Sequence, residues 1–374
     1  MLRFLDAGET HGKCLVAIVE GLPSNLTVNV DKINEKLALR QGGYGRGGRM
    51  KIESDRVEIL TGVRGGKTLG SPVALRIENR DYKNWEKIMG ALEANDERAV
   101  YVARPGHADL TGAIKYDHAD MRNVLERASA RETAIRTAVG ALCMCLLEEL
   151  GITVTGRVVR VADAVDNTPY TVADLKEKIA ASDMRIYDAE TEKRAIDLID
   201  AAREAGESLG GVVEIVAEGV MPGLGSYVHY DRKLDAALAG ALMSVQAIKG
   251  VEVGMGFEAA SVGGSKVHDP IVYNDGYTRL TNNAGGIEGG MSNGETIVLR
   301  AAMKPIPTLY TPLQSVDIRT KEKVLATVER SDVCAISACS IVCEGVVAFE
   351  LAKAVLDRCA ADNMTQLKRS ISND

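Results

Sequence analysis

No stretch of this 374-residue sequence approaches the roughly 20 consecutive apolar residues that a membrane helix needs. Its start, Met1-Leu2-Arg3-Phe4 running into Gly8-Glu9-Thr10-His11, holds no signal-peptide apolar segment, so a cytoplasmic chain is expected. There is no C-x-x-C pair, and seven cysteines are an odd count for a disulfide framework. Cys334, Cys339 and Cys343 lie close in sequence with no histidine nearby, so buried thiols are expected in place of metal ligands. The pattern G-x-x-x-x-G-K-[ST] is absent, which excludes a P-loop. Aromatic residues make up only 4% of the chain, with three Phe and one Trp, and histidine occurs only five times, so each position is informative.

What is present is ordinary globular composition: 46% hydrophobic and 26% charged, with 45 basic against 52 acidic residues and a net charge of −7. A disordered or collagen-like chain is excluded. The length allows two domains or one large body built from a duplicated unit. Against the acidic total, residues 36–51 carry Lys36, Arg40, Arg46, Arg49 and Lys51 with no acid.

Leu15, Ala17 and Val19 alternate with Val16 and Ile18 as in a buried strand ending at Gly21-Leu22-Pro23. An amphipathic helix should follow, capped by Asp31, with Ile33 and Leu37 on one face and Gly42-Gly43 as its stop. Segments 51–53 and 57–60 flank a polar turn at Ser54-Asp55, and with 73–77 they read as an antiparallel meander. Ser129-Ala130-Arg131-Glu132 is a capping box that opens a long helix over 134–150, closed by Gly151 and presenting Ala134, Ala138 and Ala141 to a closely packed layer. The run from Val16 to Pro23 is echoed from Val213 to Pro222, and each is followed by a helix opening at an aspartate, Asp31 or Asp231. Such an echo favours one compact pseudo-symmetric body.

The stretch Gly42-Gly43-Tyr44-Gly45-Arg46-Gly47-Gly48-Arg49 admits several readings. As G-x-G-x-x-G it follows a helix instead of a strand and opens no helix, unlike a dinucleotide fingerprint. As an RGG-type RNA-binding segment it is a single short run in an acidic, aromatic-poor chain. As a glycine loop it presents arginines to a small polyanion, and as a solvated loop it does nothing. His11 and His107 sit in glycine-bearing loops, where a proton donor near neutral pH is more useful than a packed ring. The helix start at Ser129, beside Arg127 and Arg131, offers orphan amides to a phosphate or is a plain cap. Residues 282–294 are too glycine-rich for a packed element, Lys304-Pro305-Ile306-Pro307-Thr308 is a stiff cationic turn, and Asp332 reads as a helix cap or salt-bridge partner.

Taken together, Gly8-Glu9-Thr10-His11-Gly12, Arg104-Pro105-Gly106-His107-Ala108-Asp109, Arg127 to Thr133, Asn282 to Gly286, Lys304 to Thr308 and Arg330-Ser331-Asp332 closely resemble chorismate synthases, in the family's order and over essentially the whole chain. The resemblance implies an α+β fold: a β-α-β sandwich of two antiparallel sheets enclosing helices, one domain over 1–374 with pseudo-repeats at roughly 1–165 and 205–374. It implies a lyase converting 5-enolpyruvylshikimate 3-phosphate to chorismate and phosphate by anti 1,4-elimination. Reduced FMN, NADPH as a possible reductant, a homotetramer, no metal, no nucleic-acid partner and no membrane partner go with it. By the same resemblance His107 protonates the departing phosphate, His11 protonates the flavin and Asp332 takes part in removing the ring proton. Arg40, Arg46, Arg49 and Arg131 match substrate or NADP arginines. Arg127, Ala128, Ser129, Gln246, Ala247, Gly289, Lys304, Pro305, Ile306, Pro307, Thr308 and Arg330 match flavin contacts. Ser331 and Val333 depart from the histidine and proline frequent beside the family's aspartate. The competing functions are an NADPH-dependent flavin reductase using Arg40 and Arg46, and an RNA-binding protein using residues 42–49.

Overall fold

In the computed structural model, residues 1–48, 54–329 and 331–372 are described. The alternation in the first strand holds: Leu15, Ala17 and Val19 of Cys14–Glu20 point into the core. This strand belongs to a four-stranded antiparallel sheet in the order Arg3–Ala7, Cys14–Glu20, Val73–Glu78, Val57–Thr61. The expected strand at 51–53 lies outside the described residues. A five-stranded antiparallel sheet runs Ala164–Val165, Thr153–Val161, Gly211–Glu218, Ile297–Met303, Ile248–Val253. Its middle strand Gly211–Glu218 carries most of the echo of Val16 to Pro23, and with the two-residue edge strand Ala164–Val165 left aside it stands second of four, as Cys14–Glu20 does in the other sheet.

Helices fill the space between the sheets. Thr133–Glu149 packs on Cys14–Glu20 and Val73–Glu78, and Ile336–Arg358 packs on Thr153–Val161 and Gly211–Glu218. The two helices also pack on each other, flanked by Val30–Gln41 and Leu234–Met243. Both are apolar nearly all round because both are covered on every side, the condition for a core helix. Among the described residues no helix is long and apolar enough to cross a membrane. At their crossing the backbones nearly touch: a Cβ on Gly140 would stand 2.4 Å from the Gly345 Cα. The outer face of the five-stranded sheet is closed by Val172–Ala181, whose Leu175 and Ile179 meet Val216.

Several local expectations shift by a residue or a turn. Asn29, not Asp31, caps the first helix, its side chain accepting from Lys32 N–H at 3.0 Å. The box at 129–132 is a separate 3-10 turn, Ala130–Glu132, before the long helix begins at Thr133, and Glu132 turns away from the cap to Gln246. Asp231 lies in the 3-10 turn Tyr230–Arg232 and does not open Leu234–Met243. All seven cysteines are free, six of them buried, with the Cys339 and Cys343 sulfurs 3.8 Å apart.

Candidate active site

The loop between the first two strands is tied to the helix Arg122–Ala128 by two bonds from Thr10, N–H and hydroxyl, to the Glu126 carbonyl at 2.9 and 2.8 Å. This places His11 against the Glu126 side chain. One carboxylate oxygen accepts the His11 backbone N–H and the other meets Nδ1, both at 2.8 Å, and Arg122 adds a third donor at 3.2 Å. Burial pushes the Glu126 carboxyl up, but His11 and then Arg122 outweigh it and hold the group below the usual carboxylate range. The His11 ring lies stacked on Trp85, centroids 3.7 Å apart and planes 16° from parallel. Arg98 sits over the same indole at 4.1 Å.

His107 is held in a comparable way. Its Nδ1 lies 2.6 Å from Asp109 Oδ1, and Arg104 donates to both oxygens of that fully buried carboxylate at 2.9 and 3.1 Å. Arg104 also comes within 3.1 Å of His107 Nδ1. A guanidinium and an N–H cannot donate to each other, so the shorter bond to Asp109 assigns the proton to Nδ1 and leaves Nε2 for other partners. Burial alone would raise Asp109; His107 and Arg104 reverse that and take it well below the usual range. The turn at 304–308 closes over this group, with Lys304 Nζ donating to the Gly106 carbonyl at 3.0 Å and Arg104 reaching the Thr308 hydroxyl at 3.3 Å. Burial, helped by Lys249, pushes the Lys304 ammonium below its ordinary value.

The arginines form the third group. Asp55 is buried and takes both oxygens' worth of bonding from Arg131 Nη1, at 2.7 and 2.8 Å, with Arg40 3.7 Å away. Arg40, itself buried, donates to the Thr133 hydroxyl and the Ala130 carbonyl. Burial drives its guanidinium down to about 9, with Asp55 pulling up and Arg131 and Arg46 pushing further down, so Arg40 is a cation at neutral pH in a site crowded with cations. Arg46 pairs with Asp332 at 3.1 Å, and the same aspartate accepts the Gly47 N–H at 2.6 Å. Among the described residues Arg40, Arg46 and Arg131 gather around Asp55 and Asp332, and guanidinium groups so grouped suit an anion. Asn79 joins this group to the first, taking Arg131 Nε at 2.9 Å while donating to the Glu9 and Gly12 carbonyls.

The expected flavin contacts form one connected set with two exceptions, Gly289 and Arg330. Gln246 donates to Glu132 at 2.9 Å, three residues past Ser129, and its Oε1 is buried with no donor among the described residues. Glu132 is raised, by burial first, with Gln246 and Arg136 pulling the other way. Ala247, at φ +70°, accepts the Lys304 N–H at 2.9 Å, and Ser208 pins the Ile306 carbonyl, which fixes the turn containing Pro305 and Pro307. Arg127, at the end of the helix that Ala128 closes, reaches back to the Gly8 carbonyl and Asp6. Gly289 turns between two short strands near Leu234–Met243, and no contact among the described residues joins it to the histidine or arginine groups. Arg49 and Arg330 lie outside the described residues. Asp332 caps no helix, because Ile336–Arg358 starts four residues later without a side-chain cap.

Sequence reasoning missed the partners. Glu126 stands 115 positions from His11, with no local signal. Asp109, two residues after His107, was within the motif that marked the histidine. Asp55 was read as part of a polar turn and is a buried counter-ion.

A family profile described as chorismate synthase matches residues 2–356. The chain is 56% identical over 382 residues to the chorismate synthase of Geobacter sulfurreducens, covering 99% of this chain and 97% of that one. It is 55% identical over 380 residues to chorismate synthase 1 of Bacillus thuringiensis, with the same coverage. A solved structure, titled as the crystal structure of chorismate synthase, superposes with a TM-score of 0.81 at 42% identity, covering all of this chain and 96% of the other. With its two antiparallel sheets enclosing helices, its paired histidines and this likeness along its whole length, the chain belongs to the chorismate synthase family.

Proposed function

We propose that this chain, by its family a lyase of aromatic amino acid biosynthesis, eliminates phosphate from 5-enolpyruvylshikimate 3-phosphate in the anti 1,4 sense to give chorismate, with reduced FMN bound. The observation that carries the reading is the clustering of the guanidinium groups of Arg40, Arg46 and Arg131, joined through Asn79 to the His11 loop. A substrate with two carboxylates and a phosphate supplies anions that such a cluster of guanidinium groups can grip. His107, holding its Nδ1 proton on Asp109, presents Nε2 as the site from which a second proton reaches the leaving phosphate. Lys304, next to it and partly desolvated, supports the negative charge developing there. Asp332 is a carboxylate held by Arg46 and the Gly47 N–H and is placed to take a proton.

The residues present fit a flavin. Among the described residues Gln246 Oε1 is a buried acceptor without a donor, which a flavin N–H would satisfy; Glu132 links Gln246 to the Ser129 turn, and the neighbouring Ala247 carbonyl holds the turn 304–308. Reduced FMN, when bound, lends electron density to the elimination and recovers it, so the reaction has no net redox change. NADPH as reductant, through Arg40 and Arg46, belongs to the same reading. Loop 42–48 turns inward, with Val333 N–H on the Gly45 carbonyl at 2.9 Å, which favours a small internal anion over RNA. We also read the chain as one domain of two pseudo-repeats, on the matched strand orders, and as a cytoplasmic homotetramer. Exposed Leu5, Ile18 and Leu60 on the four-stranded sheet support subunit contact. Anaerobic incubation with dithionite-reduced FMN and the enolpyruvyl substrate should give chorismate absorbance and equimolar phosphate. Absence of both would remove the proposal.

A further inference from the structure

The one tryptophan of the chain and one buried glutamate both spend themselves on a single imidazole. Trp85 is 8% exposed and its ring lies parallel to that of His11 at 3.7 Å, with its indole N–H on Asp81 at 3.2 Å so that the plate cannot swing. Glu126 is 2% exposed and gives each carboxylate oxygen to a different donor of the same residue, the His11 backbone N–H and the ring Nδ1. His229 offers the contrast: it meets Asp231 at a similar 2.7 Å, but both side chains are more than half exposed, so water competes for every bond in that pair.

We propose that Glu126 and Trp85 are positioning residues for His11. The carboxylate decides which ring nitrogen carries the proton, and the indole fixes the plane of the ring, so that Nε2 alone faces the reacting groups. The proposal rests on the reading of His11 as the proton donor to the reduced flavin. Its chemistry follows from the inventory of donors. A neutral imidazole has one N–H, and a carboxylate that only accepts holds that proton on the nitrogen nearest to it. Nε2 is then the basic nitrogen, able to pick up a proton and pass it on, and Arg122 at 3.2 Å keeps Glu126 charged throughout.

Glu126→Gln puts this to the test because an amide cannot reproduce the pattern. The backbone N–H of His11, at 2.8 Å, cannot reverse its role, whereas the longer bond of Arg122 to the other oxygen, at 3.2 Å, can be given up for Glu329, so the His11 N–H claims the amide oxygen. The amide NH₂ then faces Nδ1, which must become an acceptor, and the ring proton moves to Nε2. Selective ¹⁵N-histidine labelling of the full-length protein gives five residues to resolve, and His11→Ala identifies the signal. The expected result is Nδ1–H in the native protein and Nε2–H in Glu126→Gln. Turnover should fall about 10²-fold or more and KM change by less than about threefold, as for a triad whose orienting carboxylate is lost. Trp85→Phe, which can still stack, should keep turnover within about fivefold, whereas Trp85→Leu should lose about tenfold or more. An unchanged Nδ1–H signal in Glu126→Gln, or native turnover in Trp85→Leu, overturns the proposal. A switched tautomer with native turnover instead overturns the reading of His11 as proton donor. Should Glu126→Gln fail to fold, the emission of the single tryptophan serves: His11→Ala removes a stacked quencher and must brighten it, and unchanged emission overturns the stack.

Discussion

Alanine at position 140 and alanine at position 345 are the same chemical change at the same helix crossing, yet the structure gives them opposite signs. A methyl on Gly140 would lie 2.4 Å from both the Cα and the carbonyl oxygen of Gly345, atoms of backbone that no rotamer can move. Carbon contacts settle near 3.5–4.0 Å, so the helices would have to part by about 1 Å. Overpacking of that kind costs about 1–3 kcal/mol, against roughly 0.5–1 kcal/mol gained by removing a glycine from a helix interior. At mid-range the net is a loss of about 1 kcal/mol. A methyl on Gly345 meets nothing nearer than the Thr137 Cα at 3.6 Å, an ordinary contact. Only the propensity gain of about 0.5–1 kcal/mol remains there. Urea unfolding followed by circular dichroism should therefore separate the two variants by about 1 M in midpoint at unchanged slope, with Gly345→Ala above the native protein and Gly140→Ala below it. Because Thr133–Glu149 begins just after Ser129 and Arg131, and Ile336–Arg358 just after Asp332, Gly140→Ala should also lower turnover. Midpoints that move together, in either direction, would refute the account of the crossing.

His107→Ala should cut turnover by about 10²–10⁴, the usual loss for a general acid, with FMN affinity in a fluorescence titration little changed; native turnover would remove His107 from the mechanism. Asp55→Asn leaves Arg40 and Arg131 buried around a neutral amide and should cost about 3–5 kcal/mol in urea unfolding. Added phosphate should restore the variant more than it stabilises the native protein, and an undiminished midpoint would count against the buried pair. Asp109 lies below its unfolded value, near 3.9, so its stabilisation is complete above that pH and drains as the pH falls through and beneath it. The native urea midpoint should thus drop more steeply between about pH 5 and 3 than that of Asp109→Asn, and coincident slopes would show that the ion pair with Arg104 and His107 does not hold the group.

How far the sequence could be read depended on how local each cause was. Period-two runs at 14–20 and 73–78 and the apolar run at 133–149 announce themselves because burial of one face, or of all faces, writes directly into neighbouring residues. His11 and His107 were visible because histidine is rare here and both sit among glycines. Glu126 and Asp55 were not, since a buried counter-ion is defined by what folds onto it, and a glutamate in an amphipathic helix or an aspartate after a serine looks solvated from sequence. The helix start moved from Asp31 to Asn29 because either side chain can cap, and only the path of the chain chooses. Ser129 kept its cap, but Glu132 found a stronger claim in Gln246, a partner 114 residues away.

The contacts of Asp332 bear on the loop as well as on the proton transfer proposed for it. Its two oxygens hold Arg46 and the Gly47 N–H, and Gly47 lies so close that a Cβ would stand 2.8 Å from the Ser331 carbonyl. The loop is therefore latched by a charge, and a carboxylate that takes up a proton surrenders that charge and one of its acceptors together. Under the proposed role of Asp332 as proton acceptor, a loop latched in this way would be released as the proton arrives and held again as it leaves.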